Sequence, residues 1–393
     1  MISTGLDRLL AAPGQLSGRR FGLLAHAASL TRELVPAHLA LSRALRPPAR
    51  LFGPEHGFYG VEQDMVPSED QADPWTGIPI VSLYGAGERT LVPRAAAFEG
   101  LDLLVIDLQD IGARYYTFAA TAVWAAGAAL AAGVEVWILD RPNPLGGEVI
   151  EGNLVAPGFE SFVGAFRLPV RHGLTLGEIF RLEAKRRRLP DNWRVIAVEG
   201  WSRPMLWPDL GRPWVAPSPN MPDFATALLY PGLCLIEATE LSEGRGTTRP
   251  FRLVGAPGVD ALALAHALGE LPELGVRALP ARFRPWHQKH RGEVCSGVEL
   301  VVCEPRRVAG YRLGVELLAA FSSVAPESFH WRREPYEFVA DRPAIDLLAG
   351  GPELRGALDD GGGLEEWVAG WARDERAFRE ERREILVYPE RRR

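Results

Sequence analysis

Three cysteines in 393 residues are too few for a disulfide framework, and none of Cys234, Cys295 and Cys303 stands in a C-x-x-C spacing that would suit zinc. Cys234 and Cys303 lie in apolar runs and read as small core residues. No stretch of about 18 apolar residues occurs, so no membrane-spanning helix is expected. The Ala-rich run 118–132 comes nearest and is too short. The N-terminus has no basic segment followed by an apolar one, which predicts a cytoplasmic protein without a signal peptide. Positive charge is not in excess: the formal net charge is -6, whereas a generic nucleic-acid binder presents a basic field. The tail Arg391-Arg392-Arg393 reads as a solvated end. Several catalytic signatures are missing as well. There is no G-x-x-x-x-G-K-[ST] phosphate loop, no G-x-G-x-x-G after a strand and no H-E-x-x-H. There is no G-x-S-x-G elbow either. No cofactor is expected, and His26, His56 and His172 read as hydrogen-bonding groups before they read as metal ligands.

What is present is an ordinary globular composition, 47% hydrophobic and 24% charged, on a chain long enough for two domains. Short apolar runs alternate with helical patterns, as in parallel α/β units. Strands are predicted at 21–25, 50–52, 80–83, 101–107 and 134–139, with helices at 34–45 and 118–132. Thr175 and Glu178 form a capping-box pattern at the start of a helix over 175–188. A second α/β region begins near 230, with strands at 233–237 and 298–303, helices at 259–270 and 311–322, and a charged terminal helix over 364–385. That helix turns Leu364, Trp367, Val368, Trp371 and Phe378 inward. The fold class is therefore α/β: a Rossmann-like, mostly parallel sheet domain over 1–230, and a smaller α/β domain over 231–393.

Apolar strands repeatedly end on charged residues. In open α/β sheets ligands bind beyond the carboxyl ends of strands, so these loops would line one crevice. Gly53-Pro54-Glu55-His56-Gly57 is a tight turn that presents a Glu-His pair, and Glu serves as general acid where burial raises its pKa. The same Glu could instead pair with a nearby Arg. The run Asp107–Thr117 brings Asp110, Arg114, Tyr115 and Tyr116, which suit forked recognition of carboxylates and stacking on sugars; the aspartates could equally cap a helix. Asp140, Arg141 and Asn143 form a similar polar loop, with an internal ion pair as the alternative. Pro217–Pro222 is a rigid loop carrying Asn220. Glu237–Phe251 gathers Glu240, Glu243, Arg245 and two glycines, either as a site or as a surface salt-bridge cluster.

Six runs occur in order: Phe52–Gly57, Asp107–Thr117, Asp140–Pro144, His172–Glu178, Pro217–Pro222 and Ser242–Thr248. Together they resemble the bacterial exo-β-N-acetylmuramidase family, over about residues 5–390. The resemblance implies a Rossmann-like domain, a smaller C-terminal domain and a cleft between them. It implies an enzyme that frees N-acetylmuramic acid from the non-reducing end of peptidoglycan fragments, with Glu55 as the catalytic Glu. The chain departs from the family pattern at Ala25–Ser29, where an Asn-containing turn is common. It departs again at Tyr59, where Arg is common, and at Glu240, where Asn is frequent.

The resulting expectation is glycoside hydrolysis. Glu55 protonates the leaving oxygen, His56 orients it, and a second carboxylate, Glu243 foremost with Glu240 and Asp110 in reserve, assists. Arg114, Arg141 or Arg245 holds a lactyl carboxylate. Tyr115, Tyr116, Asn220, Asp140, Asn143 and His172 contribute further contacts. The expected partner is a small saccharide from peptidoglycan, with no nucleic acid and no membrane span. The alternative is a non-catalytic sugar-binding protein, or a hydrolase of another acidic amino sugar.

Overall fold

The computed structural model describes residues 2–390 apart from Asp64 and Glu270; the Arg391–Arg393 tail lies outside the described residues. The first sheet contains, in chain order, β1 (Phe21–Ala25), β2 (Arg50–Gly53), β3 (Gln71–Ala72), β4 (Pro79–Ser82), β5 (Leu103–Asp107), β6 (Glu135–Leu139) and β7 (Trp193–Ile196). Across the sheet the order is β3-β4-β2-β1-β5-β6-β7. Every pairing is parallel except that of the two-residue β3 with β4. The six parallel strands thus follow the doubly wound order, which reverses between β1 and β5. Both of these central strands are buried along their whole length, as their unbroken apolar runs require of a sheet covered on two faces. The Ala-rich segment forms the helix Phe118–Ala131, and the Thr175–Glu178 capping box starts the helix Leu176–Arg187.

The C-terminal region differs from its sequence reading in three places. Leu233–Glu237 is not a strand. Asp223 accepts from the Thr226 amide and starts the helix Phe224–Leu233, which runs on into a 3-10 turn over Cys234–Ala238. A short apolar run fits either period, so the cap decides. The second sheet is antiparallel, ordered β8-β10-β9, from β8 (Leu253–Ala256), β9 (Val276–Phe283) and β10 (Cys295–Val302). No alternating apolar pattern marks β9, because it is an edge strand with charged residues outward. Its Pro280 is tolerated because an edge strand can do without one ladder donor. Cys303, just past β10, is exposed rather than a core residue, whereas Cys234 and Cys295 are buried.

One apolar cluster runs through both regions, from Leu104 and Phe180 to Leu233, Tyr311 and Phe321. The terminal helix Leu364–Arg382 adds Trp371 and Phe378 to it, with Leu364, Trp367 and Val368 at its margin. The helices Phe224–Leu233 and Gly310–Val324 cross at glycines. A Cβ on Gly232 would lie 1.9 Å from the Gly310 carbonyl oxygen, and one on Gly314 2.3 Å from that of Gly232. Backbone cannot yield as a side-chain end can, so Gly232→Ala is expected to cost about 1–3 kcal/mol or more in urea unfolding. A loss below about 0.5 kcal/mol would show that the helices part freely.

Candidate active site

The crevice at the switch point is held together by His26, the residue after β1. Its Nε2 accepts from the Gln109 amide beyond β5 at 2.9 Å, so the ring proton sits on Nδ1, 3.1 Å from the Pro217 carbonyl oxygen. One buried imidazole thereby ties the two central strand ends to the Pro217–Pro222 loop. Burial pushes its pKa down to about 3, the charges of Arg141 and His56 add to this, and the Pro217 carbonyl opposes it. The ring is neutral.

Beyond His26 lies a small pocket, partly open to solvent, with a free volume of about 30 Å3. Glu55 lines it, buried, and accepts a 2.6 Å hydrogen bond from Thr117 Oγ1 at the start of the Ala-rich helix. The tight turn predicted for this loop is real. His56 adopts a left-handed conformation at φ +68, Gly57 follows at +76, and the His56 ring is fixed 3.0 Å from the Glu62 carbonyl oxygen. Tyr116 lies within electrostatic reach of both Asp110 and Glu55. Burial raises its phenol well above its ordinary pKa, Ser218 works against the rise, and Asp110 and Glu55 reinforce it. Asn220 donates from Nδ2 to Gln63 at 3.0 Å, tying the segment after Gly57 to the Pro217–Pro222 loop. The other wall comes from the C-terminal region. Arg245 pairs there with Glu237 at 2.7 Å, and the Tyr336 hydroxyl donates to the same carboxylate at 2.6 Å. Glu337 receives the Tyr84 hydroxyl at 3.0 Å.

Of the residues singled out from sequence, Glu55, His56, Tyr115, Tyr116, Asn220 and Arg245 line this pocket. The others do not. Arg141 forms a bidentate pair with Asp107, at 2.6 and 2.8 Å, beneath the strand ends. Arg114 donates to the carbonyls of Asn153, Leu168 and Leu348, bonding the two regions together. Neither guanidinium faces the pocket, because each is buried and committed to protein acceptors. Glu243 is clamped by Lys289 at 2.9 Å and flanked by Arg245 at 3.4 Å; burial alone would raise its pKa, but these charges hold it below the usual range. Glu240 is exposed. Asp110 accepts from the Gly112 amide and stands 3.5 Å from His172, off the pocket lining. Asn143 braces its own loop and the Leu174 carbonyl. Asp140 caps the next helix through Thr175 and Gly177 and receives the Tyr388 hydroxyl. Burial pushes its pKa up to about 6 against those bonds, with Glu178 adding to the rise. Tyr59, the departure from the family pattern in the Glu55 loop, bonds Asp73 and packs on Trp75, outside the pocket lining.

Thr117, Ser218, Glu237, Tyr336 and Glu337 line the pocket without having been singled out. Glu237 and Thr117 lay within recognised runs. Tyr336 and Glu337 lay in a stretch with neither glycine nor periodicity to mark it. Among the described residues no group of three or more His, Cys, Asp or Glu is placed to hold a metal, and no helix is long and apolar enough to cross a membrane.

A doubly wound sheet with a smaller second domain, and a partly open pocket that sets carboxylates among aromatic rings at the switch point, form the architecture of an α/β enzyme. Residues 21–225 match the N-terminal domain of exo-beta-N-acetylmuramidase NamZ, and residues 228–388 its C-terminal domain; the chain belongs to this family. It is 35% identical to the peptidoglycan beta-N-acetylmuramidase NamZ of Bacillus subtilis, over 98% of this chain and 91% of that protein. A DUF1343 family protein of Bacteroides fragilis superposes with a TM-score of 0.88 at 30% identity, and a second from that organism with 0.77 at 26%; each match covers 99% of both chains.

Proposed function

We propose that this protein is an exo-acting β-N-acetylmuramidase. It would release N-acetylmuramic acid from the non-reducing end of peptidoglycan fragments, with Glu55 as the general acid. The observation that carries the reading is the placement of Glu55. It is a buried carboxyl, aimed by a left-handed turn and by Thr117 into a pocket at the topological switch point. Arg245 is the one arginine among the described lining residues and is the group for the lactyl carboxylate, by forked recognition. Tyr116 and Asn220 offer a ring face and an amide to the sugar. His56 holds the turn beside Glu55 through its ring contact with the Glu62 carbonyl.

The test is a panel of chromogenic β-glycosides of N-acetylmuramic acid and N-acetylglucosamine, together with the natural disaccharide of the two. Release from the muramic glycoside alone is expected. Equal release from both would remove the lactyl recognition, and tight binding without any release would make this a sugar-binding protein.

A further inference from the structure

The second carboxylate expected from sequence, Glu243, is clamped by Lys289 and lies off the pocket lining. The structure brings a different one to the cavity. Tyr336 and Val339 exchange both backbone hydrogen bonds at 2.9 Å, closing a two-residue turn with Glu337 and Phe338 at its tip. Both tip residues are left-handed, at φ +44 and +70. Turns of this kind are normally built from Asn and Gly, which adopt positive φ with little strain. Among the described residues, nine other than glycine have positive φ, and Glu337-Phe338 is the one adjacent pair. Strain of this sort persists where the surrounding structure imposes it, and it clusters at sites of function. Here it carries the Glu337 carboxyl, buried, into the pocket that holds Glu55, where the Tyr84 hydroxyl beyond β4 reaches it from the opposite region. The same device presents Glu55, whose neighbour His56 is also left-handed.

We propose that Glu337 is the second catalytic carboxylate and acts as the general base. The proposal rests on the glycosidase reading above. Water attacks the anomeric carbon while the bond from that carbon to the leaving oxygen breaks. The water proton passes to the Glu337 carboxylate, and Glu55 gives its proton to the leaving oxygen. Solvent then returns one proton to Glu55 and takes one from Glu337. Glu237 has a different part. Paired with Arg245 and bonded by Tyr336, it holds the guanidinium at the wall.

The experiment compares wild type, E337Q and E337A on a muramic glycoside with a good aryl leaving group and on the natural disaccharide. A base is needed whatever the leaving group, so E337Q is expected to lose at least 100-fold in kcat on both, with KM little changed. It should also lose the acidic limb of its kcat/KM–pH profile. Azide should restore turnover to E337A. Glutamine keeps the shape and can still receive the Tyr84 hydroxyl, so an unfolding midpoint near wild type shows that the loss is chemical. A kcat within about threefold of wild type overturns the assignment. So does a loss confined to the poor leaving group, or one that appears only in KM. If wild type itself releases no sugar, it is the glycosidase reading that falls; an active wild type with an active E337Q removes Glu337 alone.

Discussion

Glu55→Gln is expected to lower kcat on the natural disaccharide by about 10²–10⁴-fold, the usual worth of a positioned general acid. The substitution removes only the transferable proton. Glutamine fills the same space, and its amide oxygen can still accept from Thr117 Oγ1, so the turn at His56 and Gly57 has no reason to rearrange. Loss of general acid catalysis raises the barrier to departure of a poor leaving group, by about 3–5 kcal/mol for a factor in that range. An aryl glycoside whose leaving group needs no protonation should be hydrolysed by the variant with a much smaller deficit. The measurement is kcat for both substrates with wild type and variant. Equal losses on both, or no loss on either, would remove Glu55 from the acid role. The two carboxylates at Glu55 and Glu337 are therefore expected to separate cleanly: one variant is sensitive to the leaving group and the other is not.

The second large effect concerns stability in acid. His26 is neutral in the folded protein because burial holds its pKa near 3, whereas an unfolded histidine titrates near 6.5. Between those values the unfolded chain binds a proton that the folded chain refuses, so stability is lost as pH falls through the window. The loss amounts to about 3 kcal/mol by pH 4, and to about 5 kcal/mol once both forms are protonated. Asp140 acts in the opposite sense. Its folded pKa of about 6 lies above the ordinary carboxyl value, so it favours the folded state as pH falls from about 6 to about 4. Urea unfolding of wild type and His26→Gln at pH 7, 5.5 and 4 isolates the imidazole, since both proteins carry Asp140. The wild type is expected to lose markedly more stability than the variant over that range. Identical pH dependence would mean that His26 is protonated without opening the crevice. The consequence is local as well as global, because the same ring bonds Gln109 and faces Pro217. Acidification should loosen the Pro217–Pro222 loop and its Asn220 before the sheet itself melts.

The strands of the first sheet and the capping box at Thr175 were legible because each depends on a local pattern. An unbroken apolar run is a buried parallel strand, and a Thr followed three residues later by Glu closes its own hydrogen bonds. The second region was less legible. The 233–237 run fits two periods, and β9 hides its one buried face behind an exposed edge. Within the site, Glu55 and Tyr116 were legible because a glycine-flanked turn and a strand-end run announce themselves. Arg114 and Arg141 looked like ligand-binding arginines for the same reason. Nothing local shows that the first is spent on three carbonyls far along the chain, or that the second is locked to Asp107.

By itself the sequence determined the α/β class, the order of the parallel strands along the chain, the family and the loop that carries Glu55. These follow from periodicity and from motifs read in order. Only the tertiary structure decided which buried charges face the cavity and which are neutralised behind it. A charged group below the surface takes whichever partner the packing brings near, and that partner can lie more than 200 residues away, as Leu348 does from Arg114. The strained turn at Glu337 was decided in the same way. No glycine signals it, because its backbone is imposed by what packs around it and not by its own preferences.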